Sequence, residues 1–249
     1  TGTFTPVATA IANSTSFIDN SAAAGTLYQY RVVAFNAAGD STSNIVTIGP
    51  NAPAASSNLT ATAQPGPQVL LNWADNSNNE SAYEVERSTN GGAFTLIASP
   101  GPFVGTGAVS YTDTTVQLGT TYDYRVRAIN AGGPSSYSNT ATVTVPNVPG
   151  SPTSVTAAAG IRQAVVSFAA PASDGGSPIT SYTVTSSLGD KAAGTTSPIT
   201  VTGLRNGTAY TFTVVATNAY GSGPAGGPSA SIVTPAVPGA PTTVVATPG

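Results

Sequence analysis

The stretch Gly119-Thr-Thr-Tyr122-Asp-Tyr124-Arg-Val126-Arg-Ala128-Ile-Asn130-Ala-Gly132-Gly133 recurs three times along this chain, and its alternation decides how the rest is read. An earlier copy runs Gly25-Thr-Leu-Tyr28-Gln-Tyr30-Arg31-Val32-Val-Ala34-Phe-Asn36-Ala-Ala-Gly39, and a later one Gly207-Thr-Ala-Tyr210-Thr-Phe212-Thr-Val214-Val-Ala216-Thr-Asn218-Ala-Tyr-Gly221. The starts lie 94 and 88 residues apart, a domain-sized period and not that of a short solenoid. Within each copy Tyr, Tyr or Phe, Val and Ala recur at every second position and so share one face of a strand. Gln29, Arg31, Asp123, Arg125, Arg127 and Thr213 point the other way.

Working outward, the second copy lies in a complete unit. It opens after Gly49-Pro50-Asn-Ala-Pro53 with strands at Asn58-Leu59-Thr-Ala61-Thr and Gln68-Val69-Leu70-Leu71-Asn72-Trp73, the latter turning Val69, Leu71 and Trp73 inward. Tyr83-Glu-Val85-Glu-Arg87 resumes the alternation, and Asn90-Gly91-Gly92 supplies the residues of a tight hairpin. Phe94 to Ala98, Val109 to Asp113, the organising strand and Asn139 to Val145 bring the strands to seven. The third unit repeats this from Val148, with Phe168 standing where Trp73 stood. The first copy is preceded only by Phe4 to Ala8 and Ser16 to Asp19, counterparts of the fourth and fifth strands, so residues 1–49 read as the second half of a unit. The expected division is 1–49, 50–147, 148–236 and, as the first strand of a further unit, 237–249.

Seven short strands per ninety residues, with turn signals every eight to twelve and no sustained helical period, call for all-β, Greek-key sandwiches arranged end to end. The aromatic closing the second strand, the Tyr of Gly-Thr-x-Tyr and the following Ala-x-Asn-x-x-Gly resemble the fibronectin type III domain, particularly the tandem versions of bacterial secreted and surface proteins. The resemblance implies that Tyr28, Tyr122 and Tyr210 are corner tyrosines bonded to nearby backbone. It implies an extracellular or cell-surface location. The cell-adhesive Arg-Gly-Asp of some family members is absent from this sequence.

Composition narrows the chemistry. Only 7% of residues are charged, against roughly 25% in ordinary soluble domains, so the surface rests on Ser, Thr, Asn and Gly. Seven Lys and Arg against ten Asp and Glu, with no basic run, leave no phosphate-tracking stripe for nucleic acid. Without cysteine there are no disulfides, thiolate zinc sites or cysteine nucleophiles; without histidine the commonest general base and metal ligand is gone. No apolar run approaches the roughly 18 residues of a membrane span.

Three groups of residues remain as site candidates. Asp75-Asn76-Ser-Asn78-Asn79-Glu80 is the densest set of oxygen donors, and Asp75, Asn78 and Glu80 are the candidate calcium ligands. The loop lacks EF-hand spacing, however, and these residue types also cap their own turn. Glu84 and Glu86 share a strand face, as glycosidase carboxylates must, yet in this fold they should meet Arg125 and Arg127 across the sheet as a surface ladder. The aromatics alternate inward, leaving Tyr137 and Tyr220 as candidate exposed contacts.

The reading is a non-enzymatic structural array without cofactors: a spacer, stalk or filament body whose short proline-rich joints limit bending. Its partners would be neighbouring units or other copies, with a polysaccharide or cell-surface protein bound by loops as one alternative and service to a larger secreted enzyme as another. Because Tyr28, Tyr30, Val32 and Ala34 would be bare in a half-unit, the segment is expected to come from a longer tandem chain or a strand-sharing assembly.

Overall fold

The computed structural model describes residues 3–23, 25–103, 105–240, 242–243 and 245–246, and among them every helix-or-strand element is a strand. The first repeat supplies β1 (Tyr28–Tyr30), β2 (Val33–Asn36), β3 (Gly39–Thr42) and β4 (Val46–Ile48). The second supplies β5 (Ser57–Gln64), β6 (Gln68–Asp75), β7 (Ala82–Thr89), β8 (Thr95–Ala98), β9 (Gly107–Asp113), β10 (Thr121–Asn130), β11 (Gly133–Pro134) and β12 (Ala141–Thr144). The third supplies β13 (Thr153–Gly160), β14 (Gln163–Ala169), β15 (Ile179–Ser186), β16 (Lys191–Gly194), β17 (Ile199–Thr202), β18 (Ala209–Tyr210), β19 (Phe212–Asn218), β20 (Gly221–Ser222) and β21 (Ile232–Val233).

By compactness the chain falls into two units. One comprises Thr1–Ala61, Leu71–Tyr111 and Asp123–Thr142; the other comprises Thr62–Leu70, Thr112–Tyr122 and Val143–Gly249. This division follows contact density and not the sequence period.

The second and third repeats each build two sheets. In the second they run β5-β6-β9 and β11-β10-β7-β8, with β12 also on β10; in the third they run β13-β14-β17 and β16-β15-β19-β20, with β18 and β21 paired beside them. The organising strand is central in each larger sheet, which is why its inward residues are all buried: Tyr122, Tyr124, Val126 and Ala128 on β10, and Phe212, Val214 and Ala216 on β19. The third core gathers Val166, Phe168, Tyr182, Val184, Val201, Leu204, Tyr210 and Phe212. Each such side chain contributes about 1.5 to 3 kcal/mol on burial. Trp73 meets Tyr83 at a centroid distance of 5.5 Å, and Phe168 meets Tyr182 at 4.8 Å, so the same aromatic pair anchors both cores. The connection from β7 to β8, residues 90–94, opens on Asn90 at φ 50° and Gly91 at φ 73°, a left-handed pair closed by Gly92 N donating to Thr89 O at 3.0 Å.

Serine hydroxyls extend the ladder where the closing segment leaves the organising strand. Ser138 Oγ accepts from Val126 N at 3.1 Å while Ser138 N donates to Val126 O at 2.8 Å. Ser43 does the same for Val32, at 2.9 and 2.8 Å, and Ser229 for Phe212, at 3.1 and 2.9 Å.

The first repeat departs from expectation. β1 pairs with β4 and β2 with β3, both antiparallel, but Phe4 to Ala8 and Ser16 to Asp19 form no strands. Tyr28 and Tyr30, expected inside, are therefore only half-buried, and Val32 and Phe35 are 71% and 68% exposed. The described residues between 237 and 246 form no strand either; positions 241, 244 and 247–249 of that expected strand lie outside the described residues.

Candidate functional site

β7 and β10 carry the densest charge constellation, on the face opposite the core. Because both strands alternate, Glu84 and Glu86 alternate with buried Tyr83 and Val85, and Arg125 and Arg127 with buried Tyr124, Val126 and Ala128. Arg125 Nε and Nη2 both bond Glu86 Oε2, at 2.8 and 2.6 Å, and Arg127 Nε bonds Glu84 Oε2 at 2.6 Å. The Arg125 guanidinium lies 3.8 Å from the Tyr137 ring centroid and 4.2 Å from that of Phe94; Arg127 lies 4.7 Å from Tyr137. Tyr137 donates its hydroxyl to Glu86 Oε1 at 2.7 Å. Tyr137 is thus half-buried over the arginines and not the free contact expected of it, and Tyr220 is half-buried as well.

The electrostatics close this cluster on itself. Burial raises the Glu86 carboxyl, but the bonds from Tyr137 and Arg125 and the charges of Arg125 and Arg127 outweigh it and hold the group below its ordinary value. The Tyr137 phenol is pushed up by burial and then by its bond to Glu86, and Arg127 is raised by its bond to Glu84. A general acid needs the reverse, a carboxyl held protonated near neutrality. Sequence reasoning placed the four charges but missed the rings of Tyr137 and Phe94. The available signal was the β11 hairpin, which brings the next residues back beside β10 and over its outward arginines.

Of the three candidate calcium ligands, Asp75 and Glu80 are buried and Asn78 is exposed. Asp75 Oδ1 accepts from Ser77 N at 3.0 Å, and Ser77 Oγ donates to Asn79 Oδ1 at 2.7 Å, so the loop caps itself. Asp75 Oδ2, Glu80 Oε2 and the Tyr83 hydroxyl are buried without hydrogen-bond geometry to any partner. Burial first, and then the neighbouring Asp75 carboxyl, pushes the Tyr83 phenol up, although no well-formed bond joins the two side chains. Among the described residues no three or more His, Cys, Asp or Glu side chains group as a metal would require.

The corner tyrosines repeat one contact three times. Each hydroxyl accepts from the backbone N–H five residues upstream at 2.9 Å: Ala23 to Tyr28, Gln117 to Tyr122 and Arg205 to Tyr210. Among the described residues no helix is long and apolar enough to cross a membrane.

Paired sheets around an aromatic anchor, with a self-neutralised outer face, define the class: this is a tandem β-sandwich array. The family model for the fibronectin type III domain matches residues 150–232. The match falls on the third repeat of this tandem array of β-sandwich units. Among curated proteins it is similar to Exoglucanase B of Cellulomonas fimi, 29% identical over 247 residues, covering 90% of this chain and 22% of that protein. The chain therefore spans 22% of the length of this relative. Among solved structures it is similar to the chicken CNTN1 FN1–FN3 domains, with 18% identity, coverage of 84% of this chain and 75% of that one, and a TM-score of 0.38. A three-domain segment of titin gives 21% identity, coverage of 85% and 75%, and a TM-score of 0.43.

Proposed function

We propose that this chain is a stiff, non-catalytic spacer that serves as accessory domains of a larger secreted protein acting on glucans outside the cell. The observation that carries the reading is the similarity to Exoglucanase B, which runs through 90% of this chain yet takes up 22% of that protein. This moves the weight from a free-standing stalk or filament to the service of a larger enzyme. The composition supports it: a surface with 7% charged residues and abundant hydroxyls has little tendency to adhere to charged partners. The repeats serve as successive spacer units at 50–147 and 148–236.

The test has two arms. Residues 1–249 are incubated with insoluble cellulose and with soluble glucan, and both depletion from solution and release of reducing sugar are measured. Neither is expected. Removing the segment from its parent should leave turnover of a soluble substrate intact and lower turnover of an insoluble one. Reducing sugar released by the isolated chain, or a parent that carries no hydrolytic domain, would overturn the proposal. Depletion by cellulose without hydrolysis would replace the spacer with a polysaccharide-binding module.

A further inference from the structure

Two short sequence patterns recur together, and the geometry joins them. The joints entering the second and third repeats both read Pro-Asn-x-Pro: Pro50-Asn51-Ala52-Pro53 and Pro146-Asn147-Val148-Pro149. The organising strands both end in the Asn of Ala-x-Asn, Asn130 and Asn218. Asn130 Nδ2 donates to Asn51 O at 2.9 Å and to Asn79 O at 3.0 Å. Asn218 Nδ2 donates to Asn147 O at 2.8 Å and to Asp174 O at 2.8 Å. In each case one side-chain amide uses both its hydrogens, one on the joint and one on the loop that follows the second strand. Its oxygen closes the turn beyond, accepting from Gly132 N at 2.7 Å or Tyr220 N at 2.8 Å.

We infer that Asn130 and Asn218 are clamps that receive the Pro-Asn-x-Pro joint, so that joint stiffness is set by this recognition and not by proline alone. The fit is close on both sides. A Cβ on Gly132 would overlap the Pro50 carbonyl, and one on Gly223 would overlap that of Pro149. The joint is stitched further by Asn147 N to Gly175 O at 2.7 Å and Gly150 N to Ser173 O at 2.9 Å. Two prolines fix φ on either side of the clamped carbonyl and hold it in an extended course that one amide can meet. The inference holds whatever the parent chain carries.

Asn218→Asp isolates the clamp, because a carboxylate still accepts from Tyr220 N but faces two carbonyls with no hydrogen to give. The measurement is amide hydrogen exchange on residues 1–249. In the wild type the Asn147 and Gly150 amides should be protected. In the variant they should exchange roughly ten- to a hundredfold faster, the loss expected of two hydrogen bonds, while Val184 and Val214 in the core stay protected. Asn130→Asp should leave the Asn147 and Gly150 amides unchanged. Unprotected joint amides in the wild type, unchanged exchange in Asn218→Asp, or loss of protection throughout the third repeat would each overturn the clamp; the last would make Asn218 part of the fold itself.

Discussion

Replacing Trp73, the one tryptophan in the chain, tests the second core most directly. Its side chain is 2% exposed and lies against Tyr83 at 5.5 Å. Truncating a buried Trp to Ala costs about 3 to 5 kcal/mol through lost transfer energy and the cavity left behind. One term works in the other direction. Trp73 Nε1 is buried with no hydrogen-bond partner, and an orphaned buried donor costs about 1 to 3 kcal/mol, which Trp73→Ala removes. Taking the middle of each range, the net loss should sit at about 2 kcal/mol, between roughly 1 and 3. Trp73→Phe keeps an aromatic against Tyr83, discards the orphan N–H and reproduces the Phe168 anchor of the third repeat; its cost should stay under about 1.5 kcal/mol. Urea unfolding followed by far-ultraviolet circular dichroism reads both, and only the transition of the second repeat should move. Equal losses for Trp73→Phe and Trp73→Ala, or a loss under about 1 kcal/mol for Trp73→Ala, would refute the reasoning. Wild-type fluorescence should also be blue-shifted and resistant to quenchers.

A double-mutant cycle on Glu86 and Arg125 should give a coupling of about 0.2 to 1 kcal/mol that fades with added salt; a large, salt-insensitive coupling would contradict the surface geometry. Because the folded Glu86 carboxyl is depressed, its contribution is present above the ordinary glutamate value of about 4.3 and is lost as pH falls through the lower folded value. Glu86→Gln should flatten stability in that acid window, and an unchanged pH profile would count against the depression. Tyr210→Phe strands Arg205 N and should cost about 1 to 3 kcal/mol in thermal unfolding, whereas Tyr28→Phe, at a half-exposed corner, should cost less; the reverse order would break the comparison. The exposed segment from Val32 to Phe35 should bind a hydrophobic dye and be clipped first by protease, ahead of Gly49, and a chain that resists both would show that the segment is covered in solution.

Period-two alternation made the organising strands legible, because β10 and β19 are buried on one side along most of their length. The Asn90-Gly91 hairpin was legible for a local reason, since its turn demands left-handed residues. β16 was missed: Lys191-Ala-Ala-Gly194 has neither branched residues nor alternation, and it is a strand because β15 offers it an edge, with Val184 opposite Ala192. The neighbouring two-residue turn at Ile161-Arg162 carries no turn signature, yet Arg162 takes φ 54°. Here the β13–β14 ladder imposes the turn. The charge ladder could be read from strand adjacency, but its ring stacking required the course of a hairpin that two residues alone do not specify. The serine pins were invisible because Ser is so common in this chain that no one position stands out.

Those pins bear on how the array responds to pulling. In the third repeat β21 spans two residues, paired as Ala209 with Val233 and Tyr210 with Ile232, and beyond it Thr234 bonds Thr208 at 3.1 Å. Load arriving through the joint after Thr234 meets this short attachment and the Ser229 pin before it reaches the seven-position ladder of β15 and β19. The closing segment then acts as a compliant fuse, yielding length at low force while Val184 and Val214 stay paired. A pulling experiment on the whole chain should record a brief low-force extension ahead of the main rupture, and a single abrupt rupture would mean that the closing segment holds as firmly as the core.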